Sequence, residues 1–437
     1  MKKSQIAIIV FLIVLIIVGG FSAIQPNDSG TVDYETAKSK AEEYMDRGLY
    51  QLAISEYDKA IAIKDTQELR DASLDAYEKR YQESKDIIQE YINAAEMAVA
   101  AYPQQERYYI VLANAYLRDG NNQAAWKTLE NARKNGLNSE MLTKLYLDTK
   151  YSFELQWESY TEVRPCVNGL YPVSDDGMWG LIDEGGDEIM SLDYDFVTPT
   201  GQDGIQIISD EETILVDQDN IVRGKLSFMP QAAGLYQDGL IAIKKDDAYG
   251  FYNSLGDFVF GDYLVASNFC DGKAAVCNSS GAWCLVDASG ESISDVEYQE
   301  IKLNLDGSYN VDGIMLAKVE NQFWLCDENG KQKESLKADD VDVLTEDGLI
   351  AYEINGKWGF VDTSGNVIIE PQFEGAKSFS HGLAAICKDE KWGFINEAGE
   401  IAIEYQFVDA DYFNSEMNCF VKTSSDGWQM LQLKVKS

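Results

Sequence analysis

Residues 357–365 read Lys-Trp-Gly-Phe-Val-Asp-Thr-Ser-Gly, and residues 391–399 read Lys-Trp-Gly-Phe-Ile-Asn-Glu-Ala-Gly. The second stretch begins 34 residues after the first. Large apolar residues alternate with other types at the start of each stretch, which is typical of a β-strand whose successive side chains point to opposite faces. The Asp or Asn three residues before the last glycine is suited to close a turn through its side chain. A unit that recurs at this interval predicts a repeat protein.

Weaker copies of the same strand bring the number of units to eight, at intervals of 34 to 40 residues. These copies begin at Trp179, Thr213, Tyr249, Trp283, Phe323 and Trp428. The copy at Thr213 lacks the aromatic residue, and the long interval before Phe323 indicates an insertion near Ser308. We expect the motif residues to pack between units and to hold the shape of the domain. They are Trp179, Gly180, Trp283, Trp358, Gly359, Trp392, Gly393 and Trp428.

About ten residues ahead of each strand, seven of the eight units carry a polar residue followed by glycine. These pairs are Asn168-Gly169, Asp203-Gly204, Asp238-Gly239, Asp271-Gly272, Asp312-Gly313, Asp347-Gly348 and His381-Gly382. Such pairs tolerate the positive φ angles that tight turns require. The eighth unit has lost the pair around Glu416 and Met417. The only histidine of the chain, His381, is therefore predicted to be a turn residue.

The order of strands within one unit follows from the same residues. Residues 382–386 are predicted to form a strand that pairs, across a turn at 388–391, with the strand of Trp392. The alternation places Trp392 and Phe394 on one face, and Gly393 is expected to leave room for bulk from a neighbouring unit. Residues 367–373 are predicted to form a third strand. The aromatic lead-in at Tyr160 puts the start of the domain near residue 155.

These residues resemble the bacterial WG repeat, also called the KWG repeat, over residues 160–437. The resemblance implies an all-β repeat domain, which we expect at 155–437. We predict a β-propeller of about seven blades, in which the partial eighth unit closes the ring, because closure removes exposed strand edges. A unit of roughly 35 residues is short beside the ~40 to 45 of a familiar four-stranded blade. An open β-solenoid therefore stays as an alternative.

Residues 34–151 are predicted to be an all-α segment, because apolar residues fall at helical spacing and only one proline, Pro103, occurs. A set of small and apolar residues recurs after 72 residues. It consists of Gly48, Tyr50, Ala53, Tyr57 and Ala60, repeated as Gly120, Asn122, Ala125, Leu129 and Ala132. The pattern resembles the tetratricopeptide repeat, whose usual role is to bind a peptide or partner protein on a concave surface. An ordinary helical bundle that acts as a spacer is the alternative.

The N-terminus is predicted to be a signal anchor at residues 1–24. Lys2 and Lys3 precede an apolar run from Ile6 to Ile24, and 19 helical residues span roughly the hydrocarbon core of a bilayer. The positive-inside rule then places the N-terminus in the cytoplasm and the bulk of the protein outside it, at the cell membrane. Cleavage of the segment, which would release a secreted protein, is the competing interpretation. Residues 25–33 are predicted to be a linker.

The composition argues against several classes of function. The 74 acidic and 36 basic residues give a net charge of -38, which repels nucleic acid. The seven cysteines include no Cys-x-x-Cys pair, and one histidine provides neither a Ser-His-Asp triad nor a His-based metal site. No phosphate-binding or dinucleotide-binding glycine loop is present. We therefore expect no cofactor, no metal and no catalytic residues.

The sequence thus predicts a membrane-anchored, extracytoplasmic protein-protein interaction scaffold that is not an enzyme, with a protein partner that fold alone does not identify. The alternative is a cell-envelope propeller that binds glycans or processes them with carboxylates, although nothing in the sequence supports a cell-wall glycan as partner. A third interpretation is a purely structural spacer.

Overall fold

A computed structural model describes residues 33–201, 203–294, 296–424 and 427–436. The chain divides into two compact units, which meet between Asn138 and Ser139. The first unit is helical, and the second is a β-domain preceded by one helix, Glu140–Lys150. The final helix of the segment predicted at 34–151 therefore groups with the β-domain.

The described part of the first unit contains six α-helices, in which each helix packs against the next along the chain. They are α1 (Tyr34–Asp46), α2 (Tyr50–Ile63), α3 (Gln67–Glu83), α4 (Ile88–Ala101), α5 (Glu106–Arg118) and α6 (Asn122–Lys134), with a 3₁₀ turn at Lys85–Ile87. Thr66 and Asn121 cap α3 and α6, because their side chains accept hydrogen bonds from the backbone N–H groups of Leu69 and Ala124.

The residues that recur after 72 positions occupy equivalent places in α2 and α6. Ala53 and Ala60 of α2 are fully buried, and so are Ala125 and Ala132 of α6. The turns before both helices contain a glycine at positive φ, +69° at Gly48 and +79° at Gly120. Small residues at these positions let the helices approach closely. The recurring alanines and glycines therefore have the same local environment at α2 and at α6.

The second unit is an eight-bladed β-propeller, with the following strands among its described residues. Blade 1 contains Glu162–Val163, Leu170–Asp175, Met178–Asp183 and Glu188–Tyr194, and blade 2 contains Phe196–Val197, Ile205–Ser209, Thr213–Asp217 and Val222–Leu226. Blade 3 contains Ala232–Ala233, Ile241–Lys245, Ala248–Tyr252 and Phe258–Tyr263, and blade 4 contains Val265–Ala266, Lys273–Cys277 and Trp283–Asp287.

The remaining blades follow the same order. Blade 5 contains Glu300–Ile301, Ile314–Val319, Gln322–Asp327 and Gln332–Leu336, and blade 6 contains Asp340–Val341, Leu349–Ile354, Lys357–Asp362 and Val367–Phe373. Blade 7 contains Gly375–Ala376, Leu383–Lys388, Lys391–Asn396 and Ile401–Phe407, and blade 8 contains Asp409–Ala410, Asn418–Ser424, Gly427–Val435 and, from the start of the domain, Tyr151–Leu155. Neighbouring strands within a blade are antiparallel.

The prediction of about seven blades with a partial eighth unit is wrong, because the eighth sheet is complete. Its fourth strand is Tyr151–Leu155, which pairs antiparallel with the last strand of the chain. Phe153 of this strand packs edge-on against Phe407 of blade 7, with ring centroids 5.9 Å apart. The strand lies nearly 280 residues before its partner, so the pattern of consecutive repeats does not reveal the pairing.

The ring is closed, so the alternative of an open solenoid is also wrong. Tyr171 and Ile182 of blade 1 share a buried cluster with Phe420 and Met430 of blade 8. The carbonyl oxygen of Glu184 accepts hydrogen bonds from the side chains of Asn414 and Asn418, both at 2.9 Å. Blade 8 therefore packs on blade 1 as each blade packs on the next, which leaves no exposed end of the stack.

Blade 7 shows how the repeat sequence produces its structure. The strand Leu383–Lys388 pairs with Lys391–Asn396 in the predicted register, with Ile386 opposite Gly393 and Cys387 opposite Trp392. Trp392 and Phe394 pack towards blade 8, whereas Ile395 packs towards blade 6. Asn396 closes the next turn, because its Oδ1 accepts hydrogen bonds from Ala398 N at 3.1 Å and Glu400 N at 3.0 Å.

The expectation that Gly393 makes room for a neighbouring unit is wrong. A Cβ at this position would lie 2.6 Å from the carbonyl oxygen of Ile403, which belongs to the fourth strand of the same blade. The register of that strand shifts between the partners of Trp392 and Phe394, and this bulge brings its backbone over the glycine. The glycine thus serves a bulge inside the blade.

The predicted anchor at residues 1–24 lies outside the described residues, as does nearly all of the linker at 25–33. Within the residues that are described, no helix combines the length and the apolar character that crossing a membrane requires.

Candidate binding site

Each blade begins with a strand of only two residues, followed by a loop that ends in the predicted turn. These short strands lie at the inner edges of the sheets, because the loops that follow them in five different blades line one cavity. The five blades are blades 5, 6, 7, 8 and 1, which are consecutive around the ring. The candidate site is therefore the mouth of the central opening on the face that carries the turns.

Five of the predicted turn residues have a left-handed backbone conformation, namely Asn168, Asp238, Asp271, Asp312 and His381, whereas in the turn of Asp347 the positive φ falls on Gly348 alone. The φ angle is +52° at Asn168, +50° at Asp312 and +53° at His381. In the eighth unit Met417 stands directly before the second strand, where most other units have glycine, and its φ is +63°. His381 is one member of this series of turns, and it lies in the cavity wall.

The turn carboxylates also join neighbouring blades, a role that the sequence analysis missed. The Asp203 carboxylate of blade 2 accepts a hydrogen bond from Gly239 N of blade 3, at 3.3 Å. Asp238 accepts one from Gly272 N at 2.8 Å, and Asp347 accepts one from Gly382 N at 2.7 Å. The sequence signal for this role is the recurrence of Asp, rather than Asn, before the glycine. A carboxylate only accepts hydrogen bonds, which suits it to a backbone N–H group of the next blade.

The cavity at this mouth has a volume of about 490 Å³ and is strongly acidic. Six carboxylates are among its lining residues, which include no lysine or arginine, and His381 is the only imidazole in the described chain. The carboxylates are Glu184, Asp306, Asp312, Glu346, Asp347 and Asp411. Charges of one sign in a concave site focus the electrostatic field and raise the local concentration of cations.

Four of these carboxylates are engaged with the protein itself. Glu184 accepts hydrogen bonds from Ser415, Asp306 from Ser308, and Asp347 from Gly382 N. The Asp411 carboxylate forms an ion pair with Lys377 at 3.1 Å.

Asp312 and Glu346 differ from the other four carboxylates of the cavity. No hydrogen bond or ion pair joins either of them to another residue in the described part of the chain. Their charges are therefore available to a ligand.

Blades 6, 7 and 8 are held together beneath the cavity by a polar network. The Asp342 carboxylate accepts hydrogen bonds from Ser378 N at 2.7 Å and from the Tyr412 hydroxyl at 2.6 Å. Burial and the neighbouring Asp342 carboxylate hold the pKa of Tyr412 well above its usual range, so the phenol keeps its proton. Because Ser378 belongs to blade 7, Tyr412 to blade 8 and Asp342 to blade 6, the two hydrogen bonds join three consecutive blades, and Tyr412 also lines the cavity.

Positively charged side chains near the cavity are likewise engaged with other groups of the protein. Lys302 of blade 5 lies 2.9 Å from Glu300 and 3.0 Å from Asp340 of blade 6. The Arg164 guanidinium lies 3.9 Å from the centre of the Trp179 ring, a cation–π arrangement. Both side chains directly follow the short first strand of their blade, and neither lines the cavity.

The motif tryptophans are distributed around the ring and none of them lines the cavity. Each packs in the cluster between its own blade and the next one. Trp179 lies between blades 1 and 2, Trp283 between 4 and 5, Trp358 between 6 and 7, Trp392 between 7 and 8, and Trp428 between 8 and 1. Gly180 and Gly359 lie beneath the fourth strands of their own blades, as Gly393 does.

The cavity offers little for covalent or metal chemistry. Cys166 lines it, but burial raises the pKa of this thiol to about 12, which keeps it protonated and poorly nucleophilic at neutral pH. Among the residues that the structure describes, no group of three or more His, Cys, Asp or Glu side chains is arranged to hold a metal ion. The site is suited to binding a cationic group through carboxylates.

A comparison with protein-family models agrees with the repeat. The family model described as WG containing repeat matches residues 358–392 and 392–423, so the chain contains WG repeats. BamB from Moraxella catarrhalis, a solved structure, is 12% identical, covers 65% of this chain and 99% of its own, and has a TM-score of 0.42. A eukaryotic initiation factor is 11% identical, with 62% and 83% coverage and a TM-score of 0.41. A comparison with curated proteins finds no match.

Proposed function

We propose that this protein is a binding scaffold without catalytic activity, in which the acidic cavity of the propeller binds a basic segment of a partner protein. The helical unit serves as a second docking surface or as a spacer, in the manner of tetratricopeptide repeats. Residues 1–24 hold the protein at the cell membrane, with both folded units outside the cytoplasm. The mechanism is recognition alone.

One observation carries the proposal, namely that six carboxylates and no lysine or arginine line the cavity. Ligand sites typically combine apolar walls with a few polar groups that fix orientation, and Tyr171, Leu344 and Phe413 supply such walls here. The aliphatic stems of lysine and arginine fit against apolar walls while their charged ends reach carboxylates. A basic peptide segment therefore matches both parts of the lining.

The net charge of -38 supports the same class of partner. A strongly negative surface attracts basic proteins over long distances and accelerates their encounter, and salt weakens this attraction. The charge also repels nucleic acid and anionic lipid. The two unpaired carboxylates, Asp312 and Glu346, then hold the partner once it has arrived.

The proposal is tested with a fluorescent peptide of alternating lysine and glycine, whose affinity for the full chain is measured by anisotropy. We expect the double variant Asp312→Asn, Glu346→Gln to bind the peptide about tenfold more weakly, because two desolvated charge contacts are lost. The matched control is Asp246→Asn, an exposed hairpin carboxylate of blade 3 outside the cavity. Equal affinity of the wild type, the double variant and the control would exclude the cavity as the binding site.

A further inference from the structure

The loop between the first and second strands is longer in blade 5 than in the blades beside it. Residues 302–313 connect these strands in blade 5, whereas residues 267–272 suffice in blade 4 and residues 342–348 in blade 6. Residues 304–312, called the blade 5 loop below, supply seven of the residues that line the cavity. The insertion that the sequence indicates near Ser308 thus forms one wall of the site.

The blade 5 loop is shaped by its own hydrogen bonds. Ser308 donates to the Asp306 carboxylate from its backbone N, at 2.9 Å, and from its hydroxyl, at 2.6 Å. Asn304 N donates to the carbonyl oxygen of Ser308 at 2.8 Å, and Gly307 N donates to that of Asn304 at 2.9 Å. These bonds give the loop one conformation, but they do not fix its position over the cavity.

Asn268 of blade 4 fixes that position. Its side chain is 1% exposed, and it donates from Nδ2 to the carbonyl oxygen of Asp306 at 2.5 Å. Its backbone N donates to the carbonyl oxygen of Gly307 at 2.9 Å, and its Oδ1 accepts from Leu235 N of blade 3 at 2.8 Å. Residue 234 must be glycine for this arrangement, since a Cβ there would lie 2.0 Å from the Asn268 Oδ1. One buried amide thus ties the blade 5 loop to two other blades.

We propose that Asn268 is the positioning residue that sets the width of the cavity, so that the site accepts an extended basic segment and excludes a folded basic surface. This inference rests on the proposed function. A volume of about 490 Å³ falls within the ~300 to 1,000 Å³ of sites that enclose small ligands, and it holds only a few side chains. A folded partner would need roughly 800 Å² of accessible surface on each side. A wall held in place before binding also reduces the entropy lost on association.

The test compares the full-length wild type with Asn268→Ala and with the matched control Asn366→Ala, which alters an exposed turn of blade 6. Hydrogen exchange of residues 304–310 is measured first, without ligand. We expect the exchange of these amides to accelerate at least tenfold in Asn268→Ala and to stay unchanged in the control. The affinities for the lysine–glycine peptide and for cytochrome c, a folded basic protein, are then measured by anisotropy and by calorimetry.

The wild type is expected to prefer the peptide, and Asn268→Ala is expected to bind the peptide about tenfold more weakly and to lose the preference. Unchanged exchange in the blade 5 loop overturns the role of Asn268, and a loosened loop with an unchanged preference overturns its role in selection. If the wild type does not bind the peptide in the cavity, the proposed function fails. The proposed preference for an extended segment then fails with it. The hydrogen-exchange measurement still decides whether Asn268 holds the blade 5 loop.

Asn268→Ala removes a buried link between three blades and can therefore also destabilise the propeller. A second variant changes a residue of the blade 5 loop itself. Ser308→Ala removes the hydroxyl that donates to Asp306 and leaves Asn268 intact. Exchange within the loop is expected to accelerate, whereas the preference for the peptide should persist, because Asn268 still fixes the position of the loop. A Ser308→Ala protein that loses the preference as fully as Asn268→Ala would contradict the proposal.

Discussion

At the scale of single residues, the repeat motif is explained by backbone geometry inside each blade. In blades 1, 3, 6 and 7, the residue that follows the motif aromatic is glycine, and the fourth strand bulges at that point. Ile214 of blade 2 and Trp324 of blade 5 replace the glycine, and there the fourth strand pairs in register with them. The glycine therefore accompanies the bulge of the fourth strand and is dispensable where this bulge is absent.

This relation predicts the effect of Gly393→Ala. The new Cβ would lie 2.6 Å from the carbonyl oxygen of Ile403, and the backbone of the fourth strand has to move. We expect a loss of about 1–3 kcal/mol in the free energy of unfolding, measured by chemical denaturation. Cys284→Ala is the matched control, because Cys284 occupies the same motif position in blade 4, which has no regular fourth strand among its described residues. A loss of equal size in both variants would contradict the explanation.

The turns that an Asp side chain closes after the third strand of a blade predict a contribution to stability that depends on pH. A hydrogen bond from Ile221 N and another from Arg223 lower the pKa of Asp217 below 3.8, and hydrogen bonds from Ser289 do the same for Asp287. A carboxylate with a depressed pKa in the folded state stabilises the protein above its unfolded pKa, and this stabilisation disappears as the pH falls through the folded pKa. We expect Asp217→Asn to be less stable than the wild type at pH 7. The difference should vanish in acid well below pH 3.8. Denaturation curves at several pH values measure it, and a difference that persists in acid would show that the charge is irrelevant.

At the scale of secondary structure elements, the strand Tyr151–Leu155 completes the eighth blade. Phe153 is half-buried and packs in the cluster between blades 7 and 8, whereas Ser152 beside it is exposed. We expect Phe153→Ala to lower the free energy of unfolding by about 1–3 kcal/mol, because a partly buried aromatic contact is removed. Ser152→Ala should have little effect. Thermal unfolding monitored by tryptophan fluorescence distinguishes them, and equal midpoints would mean that this strand does not hold the ring.

The same scale shows what the sequence was able to predict. Hairpins such as Leu383–Asn396 were predictable with their register, because turn residues and alternation occur within a few residues of each other. The eighth blade was not, because its strands come from both ends of the domain and share no local signal. The cavity was not predictable either, since Asp312, Glu346 and Glu184 come together only when the ring closes. The closed ring thus brings turn residues of separate repeats together at one cavity.

At the scale of the whole molecule, the net charge is expected to govern how fast the protein associates with a basic partner. With a net charge of -38, the rate of association with the lysine–glycine peptide should fall steeply as salt increases, while the rate of dissociation changes less. Stopped-flow fluorescence at several ionic strengths measures both rates. An association rate that does not respond to salt would contradict electrostatic attraction.

The proposed topology is tested on intact cells. Protease added from outside should degrade both folded units, because residues 1–24 are proposed to anchor the protein with its bulk outside the cytoplasm. A cytoplasmic protein of the same cells serves as the control for lysis. Complete protection of the propeller in intact cells, followed by degradation after lysis, would contradict this location.

The cavity as the site of recognition is tested most directly by photocrosslinking. A lysine–glycine peptide that carries a photoreactive group is irradiated with the full chain, and the crosslinked residues are identified by mass spectrometry. We expect crosslinks to concentrate in residues 304–312, 344–347 and 411–415, and to disappear when unlabelled peptide is added in excess. Crosslinks spread over the outer strands of the blades, or confined to the helical unit, would contradict the account.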